Sequence, residues 1–258
     1  DLSRLEYKWV KLNFHHALAN LEGRIWVFYN SSFTAVIVAQ NSQFIALRIT
    51  HLYMGQEFVA VFVHAACSRE ERSELWRDLA FVCSTRLPVL MAGDFNVILA
   101  AEEKNGGRPF ALSEATDFIQ FLNMSELCDV GFSGSKFTWC NNRFGKARVW
   151  KRLDRFLLNS VWDTLKVAVS VTHLNRLMLD HAPLLVSSRS IGLQSSRSFQ
   201  FLNVWSSHHQ FLNVVKDAWG QPVQGRPIRR LLSKLKNVKA ALSIWNREVF
   251  DNIMTGSR

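Results

Sequence analysis

No run of eighteen consecutive apolar residues occurs anywhere in the 258-residue chain, so no membrane-spanning helix is expected. Glycine (12) and proline (5) are too scarce for a collagen-like or low-complexity chain, and charged residues (20%) are too few for a disordered one. The four cysteines, Cys67, Cys83, Cys128 and Cys140, are too few and too widely spaced for a disulfide scaffold. None falls in a C-x-x-C pair, so a zinc site is not expected, and they read as reduced core positions of an intracellular protein. The first residues, Asp1-Leu2-Ser3-Arg4-Leu5-Glu6, carry neither an initiator methionine nor the charged-then-apolar pattern of a secretory signal.

Acidic residues are also in deficit, 21 against 31 Lys and Arg, for a formal charge of +10. Residues 191–258 hold 10 of the basic residues and 3 of the acidic ones. The remainder is nearly balanced apart from one dense run, Arg143, Lys146, Arg148, Lys151, Arg152 and Arg155, broken by Asp154. Such a run is ordinarily a solvated face; beside a turn and an aromatic residue it also suits phosphate contact.

Short apolar runs at 25–29, 35–38, 44–47 and 58–63, separated by polar breaks, read as hairpin-linked strands. Ser68 and Glu71 form a capping box for a helix with Leu75, Leu79 and Val82 on one face, ending before Pro88. Val89-Leu90-Met91 begins a buried strand that stops at Gly93-Asp94, and a second helix is expected over 114–127 with Ser113 as its cap. Residues 137–140 and 147–150 read as a hairpin around a turn-rich tip, followed by strands at 152–158, 167–171 and 182–186. A Ser-rich stretch then leads to two helical segments. The second places Ile228, Leu231, Leu235, Val238, Leu242, Trp245 and Val249 on a heptad seam, the pattern of an amphipathic helix packed on a neighbour.

Three polar clusters stand at strand ends. In Gly93-Asp94-Phe95-Asn96 an acid and an amide two residues apart reach one sheet edge, as phosphodiester hydrolysis needs for holding and deprotonating water; the same residues also form turns. Asp180-His181 brings a carboxylate beside an imidazole that, when charged, stabilises a phosphoryl oxygen. In Arg152-Leu153-Asp154 the acid either orients a histidine or forms a salt bridge with Arg152 or Arg155. The pairs His15-His16 and His208-His209 have no acid or cysteine at ligand spacing, and adjacent histidines rarely point the same way, so both read as incidental.

Together and in this order, these clusters, with Ile25-Trp26-Val27-Phe28, Phe137-Thr138-Trp139 and Asp180-His181-Ala182-Pro183-Leu184, resemble the endonuclease/exonuclease/phosphatase superfamily. The similarity is to the endonuclease domain of plant LINE-type (non-LTR) retrotransposons. The stretches Phe201-Leu202-Asn203-Val204-Trp205 and 245–250 resemble the segment leading to a reverse transcriptase. The resemblance implies an α+β fold, a four-layer α/β/β/α sandwich (DNase I-like) lacking its first strands, over residues 1–187. A linker at 188–198 and a helical C-terminal extension at 199–258 would follow.

It further implies that Asp94 deprotonates the attacking water, Asn96 places it, His181 contacts the phosphate with Asp154 fixing its ring, and Asp180 lies at a Mg²⁺ site. The hairpin residues Asn141, Arg143, Lys146 and Arg148, with Arg152, would lie along DNA. His64 stands where the retrotransposon enzymes have Tyr and the pancreatic-type deoxyribonucleases a general-acid His, and Leu179 stands where Ser is usual. Trp139 reads as a core aromatic or a DNA contact. The family's first strands, one ending Gln-Glu with a principal metal ligand, do not precede Gly23, so weak or absent activity is expected. The implied setting is nuclear, with DNA as partner and a reverse transcriptase in a longer parent chain; a non-catalytic nucleic-acid-binding remnant is the alternative.

Overall fold

The computed structural model describes residues 13–177, 179–190, 205, 208–224 and 227–251, with the side chains of the last helix described through Asn246. Its centre is a six-stranded sheet built from β3 (Phe33–Gln40), β4 (Phe44–His51), β5 (Gln56–His64), β6 (Val89–Asp94), β12 (Asp154–Asn159) and β8 (Leu127–Asp129), in the order β3-β4-β5-β6-β12-β8. Neighbours are antiparallel except β5 and β6. Those two run parallel because helix α1 (Arg69–Cys83) carries the chain back between them.

Side chains alternate across the sheet with period two. Phe44, Ala46, Val59, Val61, Val63, Val89, Met91 and Leu157 share one core with Leu75, Trp76 and Leu79 of α1 and Phe118, Phe121 and Leu122 of α2 (Thr116–Met124). Trp76 and Phe118 rings lie 4.9 Å apart, and Phe95 packs 5.1 Å from Phe118. On the opposite face, Ile45 and Leu47 pack against the hairpin β1 (His16–Ala19) and β2 (Trp26–Tyr29). Phe156 and Leu158 pack there against β13 (Val167–His173) and β14 (Leu184–Ser190), whose sheet β9 (Ser133–Gly134) completes. Helices thus cover one face of the large sheet and smaller sheets the other. Each fully buried Leu or Phe contributes about 1.5–3 kcal/mol to this arrangement.

Four local expectations change. The capping box at Ser68 forms, with its hydroxyl accepting from the Glu71 N–H, but Ser113 caps nothing. Residues Leu112–Glu114 tighten into a 3₁₀ turn, and α2 starts one residue after the buried Ala115. The hairpin ladder is short, β10 (Trp139–Cys140) with β11 (Trp150–Lys151), and gains an unforeseen third strand, β7 (Lys104–Asn105). The antiparallel ladder of β14 continues to Ser190, so the first residues of the Ser-rich stretch are strand. Of the cysteines only Cys140 is buried; Cys67 and Cys128 are exposed, since each falls where its chain segment faces solvent.

Among the described residues the extension forms two helices, α3 (Phe211–Gly220) and α4 (Pro227–Asp251). The later part of the heptad seam, Val238, Leu242 and Trp245, packs with Trp205, Phe211 and Val214, while Ile228, Leu231 and Leu235 stay exposed. Asn246 accepts from the Trp205 indole at 2.7 Å and donates to Asn123 of α2 at 3.1 Å, tying the extension to the helical layer. Val249 lies outside the described side chains. His208 and His209 do stack, 4.5 Å apart, and His208 also packs edge-on against Trp245. Among the described residues no helix is long and apolar enough to cross a membrane.

Candidate active site

Register brings the acidic residues together. His64 pairs with Asp94 across the parallel β5–β6 ladder, and Asp94 pairs with Asp154 across β6–β12. The three therefore form a row at one end of the large sheet. Gly93 makes the close strand approach possible: its φ is +137°, and a Cβ there would sit 2.0 Å from the Val63 carbonyl oxygen. Asp94 is thus not in a simple turn but ends a strand, and Asn96 beyond it takes φ +52° so that its own N–H donates to Asp94 Oδ1 at 2.8 Å. The Asn96 amide donates to the Ala65 carbonyl at 2.8 Å.

His181 reaches this row from the connection between β13 and β14. Its Nδ1 lies 2.9 Å from Asp154 Oδ2 and its Nε2 lies 3.8 Å from Asp94 Oδ2. An isolated bridge between Trp139 and His181, and a 2.7 Å bond from the Ala182 N–H to the Thr138 carbonyl, pin the segment beside the hairpin. Thr138, fully buried, accepts from the N–H groups of Leu153 and Asp154 and so places the carboxylate that orients His181. Sequence reasoning singled out the Phe137-Thr138-Trp139 stretch but not this role for Thr138; the signal available was a hydroxyl residue inside an otherwise apolar run.

Electrostatics follow from burial and crowding. Burial pushes the Asp94 carboxyl above the usual carboxylate value, and Asp154 adds to the effect; the Asn96 N–H and the neighbouring His181 and His64 offset it only in part. For His181, burial alone would lower the imidazole. The hydrogen bond and charge of Asp154, with Asp94 and Asp180, outweigh it and hold the ring above the ordinary histidine value. The arrangement is a carboxylate basic enough to take a proton facing an imidazolium poised to meet an anion.

Asp180 is exposed and lines a groove with Trp139, Cys140, Asn141, Asn142, Arg143 and Leu179. Arg176, absent from the sequence reading, donates to the carbonyl of Leu179 at 2.7 Å and to Asn142 Oδ1 at 2.9 Å, with its guanidinium 4.6 Å from the Trp150 ring. It thereby joins the Asp180 segment to the hairpin. Leu179 points outward, 60% exposed. Trp139 is half-buried on the groove wall.

The described donors do not close a Mg²⁺ site. Among the described residues no three His, Cys, Asp or Glu side chains converge as a cation site, Asp94 and Asp154 being committed to the Asn96 N–H and His181.

The nucleic-acid set divides. Arg143, Lys146 and Arg148 are exposed at the hairpin tip, with Arg148 5.7 Å from the Phe144 ring. Asn141 spends its side chain on the tip itself, accepting from Arg143 and Val149 and donating to Ala147. Arg152 does not join them: its guanidinium is buried and bound to Glu103 at 3.0 Å and Asp129 at 2.7 Å, turned away from a phosphate on the surface. Arg155, fully buried, binds the same two acids, reaching Asp129 at 2.9 Å. Asp154 is accordingly paired with His181 rather than with either arginine.

These layers and this site define the DNase I-like fold. The endonuclease domain of TRAS1, a telomere-specific non-LTR retrotransposon, matches with a TM-score of 0.51 and 14% identity, over 70% of this chain and 80% of that one. The 3′ phosphatase NExo from Neisseria, bound to a product DNA hairpin, matches with a TM-score of 0.50 and 16% identity, over 70% and 81%. These two neighbours are an endonuclease domain and a 3′ phosphatase, and at these identities the likeness is one of fold. No family model matches the sequence, and no curated protein matches it either.

Proposed function

We propose that the chain is a phosphodiesterase of the retrotransposon endonuclease type that nicks DNA, with slow turnover. The observation that carries this reading is the Asp154–His181–Asp94 arrangement, with Nδ1 of the histidine held at 2.9 Å and Nε2 facing a buried carboxylate at 3.8 Å. In the proposed step Asp94 takes a proton from water as its oxygen attacks phosphorus. His181 meets the charge growing on the non-bridging oxygen. The P–O bond to the leaving oxygen breaks, and that oxygen receives a proton from His64, the exposed neighbour of Asp94 in register. The likeness to a retrotransposon endonuclease supports the DNA substrate. Mg²⁺ use, a plant element as source, nuclear action and a parent chain bearing a reverse transcriptase rest on the sequence resemblance. Slow turnover is expected because the described donors do not close a cation site.

Plasmid nicking in Mg²⁺ tests the reading, comparing the chain with Asp94→Ala and His181→Ala. Weak nicking lost in both variants is the expected result; nicking that persists in either removes the assigned chemistry. The alternative, a non-catalytic nucleic-acid-binding remnant, is favoured by the exposed Arg143 and Lys146, which have no acidic partner among the described residues. It predicts salt-dependent DNA binding without cleavage.

A further inference from the structure

The three-stranded sheet beside the site sets three residues in one cross-strand row. Trp139 pairs with Lys151 across β10–β11, and Lys151 pairs with Lys104 across β11–β7. Residues directly opposite share a face, and like charges placed so repel. Lys151 is half-buried, its ammonium 5.7 Å from the Trp139 ring, and no carboxylate lies within ion-pair distance of it among the described residues. Lys104 is half-buried as well, and its ammonium donates to the Arg108 carbonyl. Two ammonium groups in one row, with no acid in ion-pair contact among the described residues, form a site short of an anion.

The row is close to the chemistry. Trp139 bridges to His181, and the Asn96 amide that donates to the Ala65 carbonyl also reaches Cys67, two residues further on. Cys67 Sγ itself lies 3.7 Å from the Asn96 amide. Burial and then Lys104 keep the Lys151 ammonium below the usual lysine value, with Glu114 and Cys67 pulling the other way. A polynucleotide supplies what is missing: a phosphate between the lysines and a base against the indole.

We infer that Trp139, Lys151 and Lys104 form a ledge that binds a phosphate flanking the scissile one, so that the site takes a polynucleotide strand rather than a small phosphomonoester. The inference rests on the phosphodiesterase reading for its scissile phosphate but concerns binding, and binding tests it separately. The probe is a labelled 20-nucleotide DNA, single-stranded and duplex, titrated at several salt concentrations against the wild-type chain, Lys104→Gln, Lys151→Gln and the double variant, with thermal melting as the check on folding.

The double variant should bind roughly tenfold more weakly near physiological salt, and the slope of log K against log salt should shrink by about 0.7–0.9 per lysine removed. Lys151→Arg should restore most of the Lys151 share. A double variant that melts like the wild type yet keeps the full affinity and slope overturns the ledge, whatever the nicking assay shows. A reduced slope in a chain that never nicks upholds the ledge and sinks the hydrolase reading alone.

Discussion

Arg152-Leu153-Asp154-Arg155 feeds two buried charge clusters of opposite character. In one, Arg152 and Arg155 meet Glu103 and Asp129, two cations with two anions, and the arginines hold both carboxyls below their usual values against the pull of burial. In the other, Asp154 joins Asp94 around one histidine, and burial with Asp–Asp crowding raises Asp94 instead. The first cluster is balanced and closed. The second carries an excess of negative charge and includes the part-exposed His181. Charges that satisfy one another hold the end of the sheet in place, and the unsatisfied set beside them is left able to exchange a proton.

Breaking the balanced cluster should have the largest effect. Arg155→Ala leaves two buried carboxylates short of a partner, and a cost of about 3–5 kcal/mol is expected. Chemical denaturation followed by circular dichroism measures it. A loss below about 1 kcal/mol would mean that the quartet contributes little and that the contrast with the site is illusory.

The next effect concerns the unbalanced cluster. Asp94→Asn should cut nicking by about 10²–10⁴-fold, as loss of a general base does, while leaving the melting temperature unchanged or higher because a raised, repelled carboxylate is removed. A clear drop in stability would show that Asp94 serves the fold. The pH profile of nicking should be bell-shaped. Its acid limb should lie above the ordinary Asp value, where Asp94 ionises.

Much of the fold was legible because its signal is local. Alternation along β4, β5 and β6 identifies the strands and both of their faces, and the Ser68–Glu71 box is a contact between near neighbours. The candidate row was legible residue by residue, since Asp94 ends an apolar strand and His181 stands just before the apolar run that enters β14. The fate of the arginines was not. Glu103 and Asp129 lie 49 and 23 positions from Arg152, on a 3₁₀ turn and on β8, and no spacing rule links them to it. Lys104 escaped for the same reason: only the β11–β7 ladder brings it opposite Lys151.

The two clusters should also diverge with acid. Glu103 and Asp129 have folded-state values below their unfolded ones, so their contribution is present above the ordinary carboxylate range and lost as pH falls through the lowered values. Asp94 is raised and works the other way, penalising the fold only once ionised. Urea midpoints should therefore fall between about pH 5 and pH 2, and Glu103→Gln should flatten that fall. Parallel curves for the two proteins would show that the quartet does not govern acid sensitivity.

The smallest effect on the fold should come from the rest of the basic run. Arg143, Lys146 and Arg148 continue the same cluster in sequence, but at the exposed hairpin tip no carboxylate pairs with them among the described residues. Replacing all three by Ala should shift stability by no more than about 0.5 kcal/mol. If the tip lies along DNA, the salt slope of binding should drop by up to about 0.7–0.9 per charge removed. An unchanged slope would place the tip away from the strand and leave Lys104 and Lys151 as the phosphate contacts. Arg148 should account for the least of the change, because its guanidinium already donates to the Arg143 carbonyl at 2.7 Å and lies against Phe144. Within this run it is the acids that each residue meets in the fold, rather than the density of positive charge, that separate a stabilising arginine from one free to bind.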